Sequence, residues 1–371
     1  MKLSAEETLL LITCKPQLTA AEDALLSRIV ATQLNWSFLL WRAETYQTTP
    51  LILHHLNRTG LTAKCPGWAQ EYMRYWSALN RARTEVQFSF LGELLNHLSQ
   101  MSIDHYMFKG SLFAALLYPA PNLRPMQDID IMVRTEDVRQ TQKALYSLGY
   151  KHGVFNPADG NFTHMFRRIT PAMIEHKYAL HSVTKIAKVQ PTFDTSMIAP
   201  EWCLRQIKSY VCNDGSVLMP VFVDTHFNLA AGMDEADVWR GAGSRRVLGQ
   251  EVLCQSLTTA LWFSAARVYY EAFQHGTLKI QMLGDIDALL RVHGNEIDWA
   301  ELLAAAKKYC FSAAIFYVLQ QITALFETPV PETVLAVLLP NQKCEPDPGD
   351  FGEILPKLLS RTVVTDLQYC A

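Results

Sequence analysis

At Ile103 the period of the sequence changes, and this change restricts the fold more than any other feature. From Trp68 to Leu98 apolar residues recur at helical spacing, with no Pro and no Gly before Gly92. The Trp, Tyr and Met residues of this stretch read as core packing. Beyond it, DHYMFKGS reads as a short strand entering a Gly-Ser turn, and LFAALLY as the helix that follows. After the loop PAPNLRPMQ comes DIDIMVR, an alternating segment of strand type. TEDVRQTQKALYSLGY reads as a helix that starts at Thr135 ahead of two acids and ends at Gly149. Strand, helix, strand, helix within about fifty residues indicates an α/β or α+β unit.

The flanks differ from this centre. Residues 1–100 read as a helical region: Leu25, Ile29, Leu34, Phe38, Leu39 and Trp41 recur near helical period in AEDALLSRIVATQLNWSFLLWRAETY, and LILHHLNRTG is a short helix closed by Gly60. Residues 101–232 form the core, strand-rich from 151 on, with FTHMFRRI, MIEHKYALHS and VLMPVFVDTHFNL as its candidate strands. Residues 233–371 read as a helical domain, from ADVWRGA through SLTTALWFSAARVYYEAF, KIQMLGDIDALLRVHG, DWAELLAAAKKY and SAAIFYVLQQITALF. Its tail, holding Pro340, Pro346 and Pro348, reads as a loop followed by one short helix. The expected class is therefore α+β, a mixed β-sheet core between N-terminal and C-terminal helical regions.

Composition narrows the function. A net charge of -3 gives no reason to expect wholesale nucleic-acid binding, and no DNA partner is expected, although a local basic patch stays open. The eight cysteines (Cys14, Cys65, Cys203, Cys212, Cys254, Cys310, Cys344 and Cys370) contain no CxxC pair, which is the pattern of buried thiols rather than of a zinc site. Glu6 and Glu7 stand where a signal peptide needs positive charge. The apolar run from Phe311 to Phe326 is interrupted by Gln320 and Gln321 and is too short for a membrane span. The expectation is a cytoplasmic protein with no membrane partner.

The chemistry points to one strand. Side chains alternate along it, so Asp128 and Asp130 share a face while Ile129 and Ile131 point into the core. Two carboxylates side by side repel unless a cation lies between them. Mg²⁺ takes few carboxylates together with phosphate oxygens, so the pair suits a metal-bound nucleoside triphosphate. Asp-x-Asp alone is weak, but Lys109, Gly110 and Ser111 precede it at a strand-to-helix junction, where glycine and exposed amides admit phosphate and lysine adds charge. The bland reading of that turn is a capping serine. A third carboxylate is wanted. Asp224, on an apolar strand with His226 on the same face, is favoured over Glu175 in MIEHKYALH. Arg124 reads equally as a phosphate contact and as the partner of a surface acid. His226 orients Asp224 or the acceptor, or serves structure. Asp285 and Asp287 form a second Asp-x-Asp on a helical pattern, where residues two apart do not face each other. Histidines 164, 176 and 181 lack metal-ligand spacing.

A Gly-Ser turn opening a helix, Asp-x-Asp on the next strand and a lone carboxylate on a later one resemble the polymerase-β-like nucleotidyltransferase superfamily. More narrowly, KGSLFAALLYPAPNLRPMQDIDIMV resembles the bacterial family of uncharacterised nucleotidyltransferases. There a Lys-Gly turn, a helix ending in Tyr, an Arg and an Asp-Ile-Asp strand come in this order, and Lys109, Gly110, Tyr118, Arg124, Asp128 and Asp130 match position by position. GY at 149–150, VDTHFNL, LGDIDALL with IDWAELLAAAKKY, and NWSFLLWRAETYQTTPLILHHL extend the resemblance over most of the chain, least firmly at 151–220.

The resemblance implies a nucleotidyltransferase-type sheet, Mg²⁺ or Mn²⁺ as cofactor and an NTP as substrate. Asp128, Asp130 and Asp224 would be catalytic metal ligands. Lys109, Gly110, Ser111 and Arg124 would bind the nucleotide, with His226 on the orienting or acceptor side. The expected reaction moves a nucleoside monophosphate, AMP first among candidates, onto a hydroxyl or amine of a small-molecule, protein or RNA acceptor. The alternatives are a nucleotide-binding regulatory protein without turnover and, further behind, a metal-dependent glycosyltransferase. The latter expects an α/β half before the motif, where this chain reads as helical.

Overall fold

The computed structural model describes residues 3–195, 208–275 and 279–340. Cys203, Cys344, Cys370 and the Pro-containing tail beyond residue 340 lie outside the described residues. The expected α+β class holds: a mixed sheet with helices before and after it in the chain. The chain divides into two compact units, residues 43–260 and residues 1–42 with 261–371.

The sheet lies in the first of these. After α1 (Ala5–Thr13), α2 (Ala20–Val30) and α3 (Trp36–Thr45) come α4 (Thr49–Arg58) and the long α5 (Gly67–Gln100). The stretch of helical period at 20–45 forms two helices, parted at residues 31–35. The centre follows as β1 (His105–Met107), α6 (Lys109–Leu116), β2 (Asp128–Val133) and α7 (Val138–Ser147). Residues Thr135–Asp137 form a 3-10 turn, so α7 begins later than the acids after Thr135 suggest, and Gly149 ends it at φ +87°.

Next come β3 (Gly153–Phe155), β4 (Phe162–His164), α8 (Pro171–His176), β5 (Val183–Val189), β6 (Tyr210–Val211), β7 (Val217–His226), α9 (Glu235–Trp239), β8 (Gly243–Val247) and β9 (Gln250–Cys254). The sheet order is β5-β7-β2-β1-β9-β8, with β6 also on β7. β2 lies parallel to β7 and β1 parallel to β9, while the remaining pairs are antiparallel.

One sheet face makes the core. Ile129, Ile131 and Val133 of β2 and Val221 and Val223 of β7 pack with Leu91, Leu94, Leu95 and Leu98 of α5 and Val138, Ala144 and Leu145 of α7. Further along α5, Trp76 and Leu79 cover Val217 and Met219. With the odd-numbered residues of β2 and β7 committed inward, the even-numbered ones fall on the opposite face, and these include Asp128, Asp130, Asp224 and His226.

Three readings of the sequence are corrected. MIEHKYALHS is not a strand. Thr170 accepts from the Met173 amide and Pro171 occupies the first helical position, so the segment opens as a helix. FTHMFRRI is strand only at residues 162–164, paired with 153–155. Residues 243–254, within the region read as helical, form a hairpin. Val247 pairs with Gln250 across Leu248 (φ +48°) and Gly249 (φ +84°), a two-residue turn whose left-handed backbone matches the strand twist.

The second unit is helical. It contains α10 (Leu257–His275) beyond residue 260, then α11 (Ile280–His293), α12 (Trp299–Lys308), α13 (Ser312–Phe326) and α14 (Glu332–Leu338), together with α1 and α2. Capping boxes Ser4–Glu7 and Thr19–Glu22 start α1 and α2, and Trp262 stacks on Tyr309 and Phe311. Asp287 receives Arg291 Nε at 2.9 and 3.0 Å and the Thr328 hydroxyl at 2.6 Å, which ties this acid of the second Asp-x-Asp into the packing of the unit. No helix among the described residues is long and apolar enough to cross a membrane. Cys14, Cys65 and Cys254 are buried free thiols, with burial pushing Cys65 and Cys254 up to about 11.

Candidate active site

The register between β2 and β7 builds the site. Asp130 lies opposite Asp224 and Met132 opposite His226, so two acids that stand 94 residues apart in the chain become neighbours. Ligand atoms of Asp130, Asp224 and His226 all lie within 4.8 Å of one another, and this is the only such group among the described residues. Asp128 is two residues before Asp130 on the same strand, opposite Phe222 and half-buried. Glu175 is elsewhere, on the short α8, with its side chain 73% exposed and His176 at 3.8 Å.

Lys109 reaches into the group. Its Nζ donates to Asp130 Oδ1 at 2.7 Å and lies 3.0 Å from His226 Nε2. The backbone supplies the aim: Lys109 takes φ +53°, a left-handed conformation that is strained for a side-chain-bearing residue, at the first position of α6. The turn's freedom thus resides in the lysine, whereas Gly110 serves close approach. A Cβ there would stand 2.8 Å from Arg124 Nη1 and 3.6 Å from Met126 Cγ. Arg124 is buried over the Phe113 ring at 5.8 Å, against the turn. Ser111 is buried and donates to the Phe108 carbonyl at 3.2 Å.

Charge inside the group is balanced by these contacts. Burial works to raise the Asp130 carboxyl, but Lys109 and then His226 overcome it and hold the group well below the usual carboxylate range. Burial, and next Lys109, push His226 below its ordinary value against the pull of Asp130 and Asp224. The folded protein therefore keeps the ring neutral to lower pH than the unfolded chain, which takes up a proton near pH 6.5. The stability that the neutral ring contributes is whole above about pH 6.5 and declines as pH falls below it. His226→Gln should flatten the fall in urea midpoint between about pH 7 and pH 5.5. An unchanged slope would remove His226 from the acid response.

Four residues here were not read from the sequence. Ser182 donates to Asp224 Oδ1. Tyr178 stacks on His226 at 5.7 Å, and Phe108 meets the same ring edge-on at 5.1 Å. Both Ser182 and Tyr178 arrive because residues 178–180 run back along the end of β7, with Leu180 N bonded to Thr225 O and Phe227 N to Tyr178 O. No local signal marks them. Arg83 had one: it falls on the buried stripe Trp76, Asn80, Arg83, Gln87 and Leu91, where a cation needs a reason. It donates to the Gln127 carbonyl at 2.9 Å, and burial lowers it to about 10 against the support of Asp128.

A small cavity of about 10 Å³, room for roughly one water, lies at this end of β2, lined by Gln47, Thr49, Pro50, Trp76, Asn80, Arg83, Pro125, Met126 and Gln127. Trp76 Nε1 and Thr49 Oγ1 are buried there with no hydrogen-bond partner.

Comparison with known proteins gives the site a setting. The model of a family described as uncharacterised nucleotidyltransferase matches residues 32–327. A crystal structure of an antigenic nucleotidyltransferase-like protein from Paracoccidioides brasiliensis is similar at 15% identity, over 67% of this chain and 97% of that one. Its TM-score of 0.31 adds nothing to the account of the fold. No curated protein matches the chain.

Proposed function

Because the chain belongs to the family of uncharacterised nucleotidyltransferases, we propose that it moves a nucleoside monophosphate, AMP first among candidates, from an NTP to a hydroxyl or amine of an acceptor. The observation that carries this reading is the pairing of Asp130 with Asp224 across the two strands, with the Lys109 ammonium on Asp130. The Lys109 ammonium sits on Asp130 as a stand-in cation, so the donor set suits one. Asp130 and Asp224 would hold Mg²⁺ or Mn²⁺ with His226 beside them, and Asp128, two residues along the same strand face, would be a further ligand. When bound, the ion would neutralise phosphate charge and align the triphosphate.

The remaining roles belong to the chain. Lys109 donates to a phosphate oxygen, and the amides of Gly110 and Ser111 at the start of α6 face the same charge. Arg124, seated against Gly110, holds the turn in place. The acceptor oxygen bonds to the α-phosphorus as the bond to the bridging oxygen breaks, and pyrophosphate leaves with the bonding pair. The proton of the acceptor passes to the Asp224 carboxylate, which Ser182 holds in position.

The test uses Mg²⁺ or Mn²⁺ with each α-labelled NTP and mixed acceptors. Label transfer with pyrophosphate release is expected. Label retained as bound nucleotide with no turnover would favour a regulatory protein, and transfer from nucleotide sugars alone would favour a glycosyltransferase.

A further inference from the structure

Residues 178–182 lie against the site, and the stretch 161–177 that leads into them is rich in cations and aromatic rings. They carry Arg167, Arg168 and Lys177 with three histidines against the single carboxylate Glu175, in a protein of net charge -3. That carboxylate is already beside His176 at 3.8 Å. The nearest further acid in sequence, Asp159, is turned onto the Asn161 amide at 2.9 Å.

Lys177 and Arg167 both bear on His181, whose titration is lowered first by burial and then by these charges. Aromatic surface lies among them. Phe166 is 82% exposed with the Arg168 guanidinium over its ring at 5.6 Å, and Tyr178 is 45% exposed. The end of the segment, residues 178–182, is fixed to the site. Ser182 bonds Asp224, Tyr178 stacks at 27° on His226, and Ala179 bridges to His226 through the backbone.

Small acceptors need no such surface, and an acidic peptide has no use for exposed rings. Cations interleaved with open aromatic faces suit a strand that carries phosphates and unpaired bases. We propose that the acceptor is the 3′ end of a single-stranded nucleic acid, laid along residues 161–182 with bases on Phe166 and Tyr178 and its terminal hydroxyl at Asp224. This rests on the transferase reading. The 3′ oxygen bonds to the α-phosphorus of the NTP, the bond to the bridging oxygen of the β-phosphate breaks, pyrophosphate leaves, and the hydroxyl proton goes to Asp224.

Binding and transfer are measured separately on the full chain. Fluorescence anisotropy with 5′-labelled single-stranded RNA, single-stranded DNA and duplex of one sequence should show single-strand binding that weakens with salt. Which of the two single strands binds tighter names the acceptor. Arg167→Ala with Arg168→Ala should reduce the log–log salt slope by about 1.4. Phe166→Ala should weaken binding about 5- to 150-fold with the slope unchanged, and NTP affinity should stay as in the parent. Equal binding by parent and both variants, tighter binding of duplex, or full displacement by polyglutamate of equal charge would overturn the proposal. Strand binding with no label transfer from any NTP would instead sink the transferase reading. Label transfer to a small acceptor by a chain that ignores oligonucleotides would keep that reading and sink this one.

Discussion

Replacing Asp130 by Asn is expected to lower nucleotidyl transfer by about three orders of magnitude, from several kcal/mol of lost charge stabilisation at about 1.4 kcal/mol per decade. The same change strands the Lys109 ammonium. Its side chain is 14% exposed and its partner's 7%, so the pair is largely withdrawn from water. Removing one member of such a pair costs roughly 3–5 kcal/mol, because the survivor stays charged without a counter-ion. Loss of activity in Asp130→Asn alone would therefore be ambiguous. Lys109→Met added to Asp130→Asn removes both charges, and the double variant should regain most of the lost stability while remaining inactive. Recovery of turnover together with stability would mean that Asp130 serves the fold and not the chemistry. Urea midpoints and pyrophosphate release on the four members of this cycle supply both readouts.

Gly284→Ala should destabilise the helical unit by about 3 kcal/mol, at the upper end of overpacking costs. A Cβ on Gly284 in α11 would sit 2.2 Å from the Cys14 carbonyl oxygen, 2.8 Å from its carbon and 3.3 Å from Lys15 Cα. All three are backbone atoms at the end of α1, so no rotamer change relieves the collision, and the two helices must move apart. Gly294 supplies the contrast. It closes α11 at φ −58° with nothing within 4 Å of an added Cβ, so Gly294→Ala should be neutral or stabilising by up to about 1 kcal/mol. Similar urea midpoints for the two variants would show that the α1–α11 contact is looser than its atoms indicate.

What could be read from the sequence follows from the range of each signal. Alternation is local, so Asp128-Ile129-Asp130-Ile131 declares which side is core and which is not, and the strand forms that way. Pairing is not local. Nothing within VFVDTHFNL states that it lies parallel to DIDIMV with Asp224 opposite Asp130, since that register depends on the whole sheet. The sequence favours Asp224 over Glu175 without that register, which then sets Asp224 opposite Asp130. Some signals were present and outweighed. Thr170-Pro171 is a helix start, yet the mixed pattern of MIEHKYAL reads as strand without it. Leu248-Gly249 hides a hairpin turn because leucine rarely takes φ +48°. VTKIAKV alternates, but its lysines disguise an edge strand, where charge is common. Lys109 was legible as a charge near phosphate but not as a residue bonded to Asp130, since that contact needs its left-handed backbone.

The account stands on Asp130 and Asp224 jointly holding a divalent ion beside a triphosphate. Electron paramagnetic resonance of Mn²⁺, titrated into the protein with a non-hydrolysable NTP, reads this directly. The parent should bind the ion in an NTP-dependent manner, and Asp130→Asn and Asp224→Asn should each weaken it by at least about tenfold. Folded variants that bind Mn²⁺ as tightly as the parent would contradict it.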